Sequence, residues 1–192
     1  MKIYSSESDL MSELQKNNYK IIGIDGADGA GKSFLAKKIG AALNLPVLSL
    51  DRSLIKDQDT YVDNIKYHDL SEQAKNINGP FIIEGVCLLY ALKKLPIKLS
   101  CLIYIKALND RNEWVDEDEL NSKLPIEELI ESIEQRVNVV AKQIYGKELN
   151  ITAFRKEIIQ YHNREKPFEM ADIVFERVKN LRAITQTDTP GS

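Results

Sequence analysis

The chain is 192 residues long, with 43% apolar residues, 29% charged residues and a formal net charge of −3. That length fits one domain that buries a sizeable core without staples, and the near-balanced charge supplies no broad basic field for nucleic acid. No apolar run approaches membrane-spanning length and the N-terminus lacks an apolar signal-like core, so a soluble, cytoplasmic protein with no membrane contact is expected.

Residues 1–18 read as a peripheral turn and a short helix, with Ser8 as its cap and Leu10, Met11 and Leu14 facing inward. A strand over 20–24 then runs into D-G-A-D-G-A-G-K-S. Gly26, Gly31, Lys32 and Ser33 stand at the spacing G-x-x-x-x-G-K-S of a phosphate-binding loop. The glycines let successive backbone N–H groups turn inward and approach phosphate oxygens. The helix that follows, over about 31–43, points its positive end at the same place. Lys32 is a point charge able to reach the two outer phosphates, and the Ser33 hydroxyl can ligate Mg²⁺. The expected nucleotide-binding residues are therefore Gly26, Ala27, Asp28, Gly29, Ala30, Gly31, Lys32, Ser33 and Phe34. No plain turn requires Lys-Ser after its last glycine. Asn44 and Pro46 stop the helix.

A second buried strand over 46–50 ends at Asp51-Arg52. Residues 53–78 turn polar, with no clear strand and at most a short helix near 71–78. A long polar insertion between buried strands is expected to carry function, with a solvated surface excursion as the plainer alternative. Tyr61, Tyr67 and His68 are its candidates for stacking on, or hydrogen-bonding to, a substrate ring, with ordinary packing as the alternative for each. A strand over 81–83 closes on Glu84-Gly85. A largely buried helix over 86–95 and another apolar strand over 99–105 follow. Cys87 and Cys101 lie inside these apolar runs, which favours small buried side chains over a disulfide or metal pair. Buried strands alternating with helices imply an α/β fold, a mostly parallel sheet covered on both faces.

Acids crowd residues 113–119, marking a mobile or solvated segment. Pro125 suits the first turn of a long helix whose stripe is Ile126, Leu129, Ile130, Ile133, Val137, Val140, Ala141 and Ile144, ended by Gly146. A helix over about 150–163 presents Ile151, Phe154, Ile158 and Tyr161. A last strand over 171–175 precedes a tail expected to fray over 183–192.

In an open parallel sheet, ligands sit at the carboxyl ends of the strands, where Asp25, Asp51 and Glu84 fall. Asp51 can accept the proton of a substrate hydroxyl lying beside the outermost phosphate, which makes Asp51 and Lys32 the catalytic candidates. Glu84 can hold Mg²⁺ or its waters together with Ser33. For both acids the plainer alternative is a helix cap. For Asp25, organising the loop and taking part in chemistry stay equally open.

Four segments together resemble the uridine kinase-like phosphate-loop kinases: I-G-I-D-G-A-D-G-A-G-K-S-F-L-A (22–36), L-S-L-D-R-S (48–53), F-I-I-E-G-V (81–86) and K-P-F-E-M-A-D-I-V-F (166–175). Relatives of that type phosphorylate nucleosides, pantothenate and other small hydroxylated metabolites. The resemblance implies a three-layer P-loop NTPase fold with strand order 2-3-1-4-5, occupying 1–182 as one domain. It also implies ATP (or GTP) with Mg²⁺, a substrate insertion over about 53–78 and a lid over about 107–124. Asp51 takes the place of the base, and Glu84 a place in the metal and substrate shell. Such kinases carry an arginine-rich lid, whereas here residues 110–123 offer Arg111 and Lys123 amid acids. Arg111 is the candidate lid cation, with a surface ion pair as its alternative; Arg136, Arg155 and Arg164 could supply the clamp instead.

The expectation is a kinase that moves the γ-phosphoryl group to a hydroxyl of a small molecule, a uridine- or cytidine-like nucleoside first. Pantothenate or a sugar acid is the alternative acceptor, and a nucleotide-binding switch without transfer the alternative class. A GTPase is disfavoured, because no N-K-x-D segment occurs and no D-x-x-G follows the third expected strand. Oligomeric state is not legible.

Overall fold

The computed structural model describes residues 1–55 and 58–178; the expected frayed tail lies outside them. Six strands form one parallel sheet: β1 (Lys2–Tyr4), β2 (Ile21–Gly26), β3 (Val47–Ser49), β4 (Phe81–Glu84), β5 (Cys101–Leu108) and β6 (Ile173–Val178). Their spatial order is β1-β6-β5-β2-β4-β3. The five strands read from the sequence keep the expected 2-3-1-4-5 order, and β1 adds an edge strand beside β6. K-I-Y is too short and too exposed to announce itself by periodicity. Its register partners, Ile173 to Phe175, lie at the far end of the chain.

Both faces of the sheet are covered, as the register demonstrates. Ile22 and Val47 pair with Ile82, so all three point to one side. There Gly40 of α2 (Lys32–Leu43) lies so close that a Cβ would come within 2.8 Å of the Val47 side chain. Gly23 points the other way, and a Cβ there would meet Leu88 of α4 (Leu88–Leu92) at 3.0 Å. Burial on two sides is why the central strands read as continuous apolar runs; Ile22, Ile24, Ile82, Ile83, Ile103 and Ile105 are all buried.

Several local readings are corrected. α1 (Glu7–Asn17) is capped by Ser6, whose hydroxyl accepts from the Asp9 N–H at 3.4 Å, and Ser8 lies one residue inside the helix. α4 is shorter than 86–95, because Cys87 adopts φ 53° and starts the helix late. In the described part of the polar insertion, 3-10 turns at Asp51–Ser53 and Val62–Asn64 flank an antiparallel bridge between Leu54 and Ile65. It then forms α3 (Tyr67–Lys75), with Leu70 fully buried.

The acidic segment after β5 is anchored as well. Trp114 pairs with Leu108 and buries against Tyr104 and Phe168, with ring centroids 6.0 and 4.9 Å away. Leu120 of α5 (Glu117–Leu120) is also buried. Pro125 precedes α6 (Ile126–Tyr145) as its cap residue, and Gly146 ends it at φ 66°. Of the α6 stripe, Leu129, Ile133 and Ala141 are buried, whereas Val140 and Ile144 are exposed. α7 (Ala153–Glu165) is capped by the Thr152 hydroxyl, and a single turn, α8 (Pro167–Met170), leads into β6.

Candidate active site

β2 delivers the chain to the loop through Gly26, at φ +150°, where a Cβ would fall 2.8 Å from the Ile105 carbonyl oxygen. No other residue fits there. Asp25, the residue before it, is fully buried and accepts the Gly26 N–H at 2.7 Å and the Tyr161 hydroxyl. Tyr161, on α7, in turn accepts from the Leu89 N–H at 3.2 Å. Burial pushes the Asp25 carboxyl up to about 6, although the Tyr161 and Gly26 hydrogen bonds and the Lys32 charge pull it down. Of the two readings open for Asp25, the geometry favours the loop organiser.

Lys32 is buried at the start of α2, with Nζ donating to the Ala27 and Gly26 carbonyls at 2.7 and 3.2 Å. Burial lowers its pKa, opposed by the charges of Asp25, Asp28, Asp51 and Glu84. The Ser33 hydroxyl donates to Glu84 Oε2 at 3.0 Å. Glu84 ends β4 and is 1% exposed. A hydroxyl and a carboxylate placed side by side next to a phosphate loop are a donor set suited to Mg²⁺. Among the described residues, no cluster of three or more His, Cys, Asp or Glu offers another metal site.

The Leu50 N–H donates to the Glu84 carbonyl at 2.9 Å, which carries the next residue, Asp51, to the same sheet edge. The Asp51 carboxylate accepts from the Tyr61 hydroxyl and is otherwise open to solvent. Tyr61 is 4% exposed, stacked on Phe154 at 5.8 Å and 29°; burial and Asp51 together push its hydroxyl pKa far up, so it stays a proton donor to Asp51. Glu157 of α7 fixes this turn by accepting the Tyr61 and Val62 N–H groups at 2.6 and 3.0 Å. Asp51, Arg52, Gln58, Thr60, Tyr61 and Phe154 border a recess of about 500 Å³.

Of the three aromatic candidates in the insertion, Tyr61 alone reaches this recess. Tyr67 is a brace, donating to the Val62 carbonyl at 2.7 Å, and His68 is exposed on α3. Both are thus placed away from the role expected of them. Arg111 is exposed in a tight turn, where Asn109 Oδ1 accepts its backbone N–H, and it forms no ion pair among the described residues. Arg155 and Arg136 both turn to Glu119. Three neighbours of the site carried no recognisable sequence signal. Glu157 and Tyr161 lie mid-helix and became visible only through packing. Arg177, at the carboxyl end of β6, donates to the Ala30 carbonyl at 3.3 Å and lies 5.1 Å from the Phe34 ring centroid. The last strand is read as ending at 175, which left Arg177 outside it.

A parallel sheet in which a Gly-rich loop joins β2 to α2, with Glu84 from the neighbouring strand against its serine, is an α/β fold of the phosphate-loop type. The chain is 27% identical to a cytidylate kinase from Lawsonia intracellularis (strain PHE/MN1-00) over 165 residues, 84% of this chain and 70% of that protein. No protein-family model matches it. Among solved structures, it overlaps a possible uridine kinase from Bacillus stearothermophilus at TM-score 0.48 and 14% identity, covering 88% of this chain and 96% of that one. An uncharacterized protein from Eubacterium ventriosum ATCC 27560 overlaps at TM-score 0.38 and 17% identity, covering 82% and 88%. Among the described residues, no helix is long and apolar enough to cross a membrane.

Proposed function

We propose that the chain is a kinase that transfers the γ-phosphoryl group of ATP (or GTP) to a hydroxyl of a small molecule, with a uridine- or cytidine-like nucleoside as the favoured acceptor. The observation that carries this reading is the placement of Asp51. Its carboxylate stands at the sheet edge beside the Ser33–Glu84 pair, held by Tyr61 and open to a recess with an aromatic wall. A base in that position takes the proton of an incoming hydroxyl as the phosphoryl group moves across. Bound Mg²⁺ would supply charge neutralisation between the outer phosphates, with Ser33 and Glu84 holding it or its waters. Lys32 would exchange the Ala27 and Gly26 carbonyls for phosphate oxygens, which satisfy its ammonium better. Gly26 to Ser33 would cradle the triphosphate with backbone N–H groups.

The cytidylate kinase likeness raises a second acceptor class, a phosphate rather than a hydroxyl. The recess favours the hydroxyl. A phosphate dianion needs converging cations, yet among the described residues the recess carries Asp51, with Glu157 behind Tyr61, and the exposed Arg52 as its one cation. A phosphate acceptor also has no proton to give up at neutral pH and no use for a base. Phe154 and Tyr61 suit a flat ring, while the Thr60 hydroxyl and Gln58 amide suit its polar edge.

The test is incubation with γ-labelled ATP or GTP, Mg²⁺ and a panel of uridine, cytidine, cytidylate, pantothenate and sugar acids. Label should pass to a nucleoside, or failing that to another hydroxyl compound. Transfer to cytidylate alone would replace the hydroxyl reading with the phosphate one. Nucleotide binding with no transfer to any acceptor would leave a switch protein.

A further inference from the structure

Positive charge also gathers away from the loop and from Asp51. A recess of about 530 Å³ lies between residues 121–126, which link α5 to α6, and the end of α7. Lys123, Arg164 and Lys166 border it, against Glu169 as the acid in its wall. Among the described residues Lys123 and Arg164 form no ion pair, while Lys166 meets Glu169 at 3.1 Å. Both side chains of that pair are more than half exposed, so the pair is weak and easily exchanged. Lys166 also holds φ 47° where it caps α7, a left-handed conformation that lysine seldom adopts.

The rest of the lining is polar or aliphatic. Asn163 donates from Nδ2 to the Glu119 and Ile159 carbonyls at 3.0 and 2.9 Å, which leaves its Oδ1 to accept. Leu120, Leu124 and Ile126 supply an aliphatic side. His162 is 1% exposed and also borders the recess. Its Nδ1–H donates to the Ile158 carbonyl at 2.9 Å, which makes Nε2 the acceptor of the neutral ring. Nε2 has no partner among the described residues, and neither has the hydroxyl of Tyr104, whose ring centroid is 5.9 Å away. Buried polar atoms are ordinarily paired.

This place is separate from the triphosphate site. Neither the loop nor Asp51 nor Glu84 borders it, and it shares Leu120 with the recess that Ala27 and Asp28 wall. Arg164, one of the cations expected to serve the donor phosphates, faces this cavity instead.

We propose that the recess is a second binding site, one that takes the phosphate group of a small hydroxylated phosphomonoester such as a sugar phosphate. Three cations against one carboxylate suit a dianion, and the Arg164 fork suits its oxygens. The cavity is far larger than a phosphate ion. Its amides suit hydroxyls, whereas a nucleobase finds no Phe, Tyr or Trp face to stack on. Residues 121–124 end the segment expected to act as a lid, so a ligand here ties that segment to α7.

The chain has two histidines, so NMR of the imidazole Cε1–H groups, assigned with His68→Gln, reports on His162 directly. Glucose 6-phosphate should shift the His162 resonance saturably, inorganic phosphate about tenfold more weakly, and glucose not at all. Arg164→Ala should weaken glucose 6-phosphate about tenfold, and Glu169→Gln should tighten it about threefold. Lys75→Ala, an exposed cation on α3, should change nothing. Lys32→Ala should keep the shift, since the loop takes no part. No saturable shift in wild type overturns the site. So does a shift that survives Arg164→Ala unweakened, or one that potassium chloride of equal ionic strength reproduces. Loss of the shift in Lys32→Ala would put the phosphate in the loop, overturning this site while supporting the loop reading, so the two fail separately.

Discussion

Asp25 offers a prediction whose size follows from burial. Its carboxyl is fully enclosed, and burial raises its pKa from 3.8 to about 6. At about 1.4 kcal/mol per unit, that rise corresponds to about 3 kcal/mol. The pKa is higher in the folded state than in the unfolded one, so the associated stability is present below the unfolded value and is lost as pH rises through about 6. At neutral pH the fold carries the cost of an ionised, buried carboxylate. Asp25→Asn keeps an oxygen for the Gly26 N–H and a partner for the Tyr161 hydroxyl, but cannot ionise. Every other titrating group is common to both proteins and cancels in the difference. Urea unfolding of both, at intervals from pH 7 to pH 4, gives that difference directly. Wild type should gain on the variant by about 2 kcal/mol over this range, most of it below pH 6. Two stability curves that stay parallel would refute the claim that Asp25 is ionised against its surroundings.

His162 should behave with the opposite sign. Burial lowers its pKa from 6.5 to about 4, so stability present above 6.5 is lost as pH falls toward 4. His162→Gln should flatten the acid limb of the unfolding curve, and an unchanged limb would count against a neutral buried ring. At the phosphate loop, Gly31→Ala places a Cβ 1.5 Å from Arg177 Nη1 at a backbone φ of +98°. The flexible arginine can retreat, but the backbone strain remains, so a stability loss of about 1–2 kcal/mol and weakened nucleotide binding are expected in a melt and a titration. Lys32→Ala should remove most nucleotide affinity, and retained tight ATP binding would sink the loop reading. Tyr61→Phe should lower kcat about tenfold with little change in nucleotide affinity, since it frees the Asp51 carboxylate without touching the loop. An equal loss of affinity would make Tyr61 a general structural support.

What was legible in the sequence had local or periodic causes. The loop announced itself through fixed glycines followed by Lys32 and Ser33, and the central strands through apolar runs that only two-sided burial explains. Asp51 and Glu84 were singled out by the rule that ligands sit at strand ends, and the sheet places both at that edge. What stayed hidden depends on partners remote in the chain. β1 exists because β6 offers an open edge, and neither strand signals the other. Glu157 and Tyr161 look like ordinary helix residues until α7 is laid across the insertion and the loop, where one accepts the Tyr61 N–H and the other donates to Asp25. Tyr67 and His68 show the converse. For aromatic residues in a polar insertion, substrate contact and ordinary packing read alike, but the insertion packs into the main core through Val62, Ile65 and Leu70, and Tyr67 packs against that core. The acidic run after β5 hid an anchor in the same way, since Trp114 is buried amid exposed acids.

The central claim is that Asp51 takes a proton from an acceptor hydroxyl while the loop holds the donor. The most direct measurement is single-turnover transfer from γ-labelled ATP to the acceptor that the panel identifies, in wild type and in Asp51→Asn. The account predicts label on a hydroxyl oxygen of the product, and in the variant a rate lower by about a hundredfold or more with nucleotide affinity unchanged. Transfer at the wild-type rate in Asp51→Asn, or label found on a phosphate oxygen of the acceptor, would contradict it.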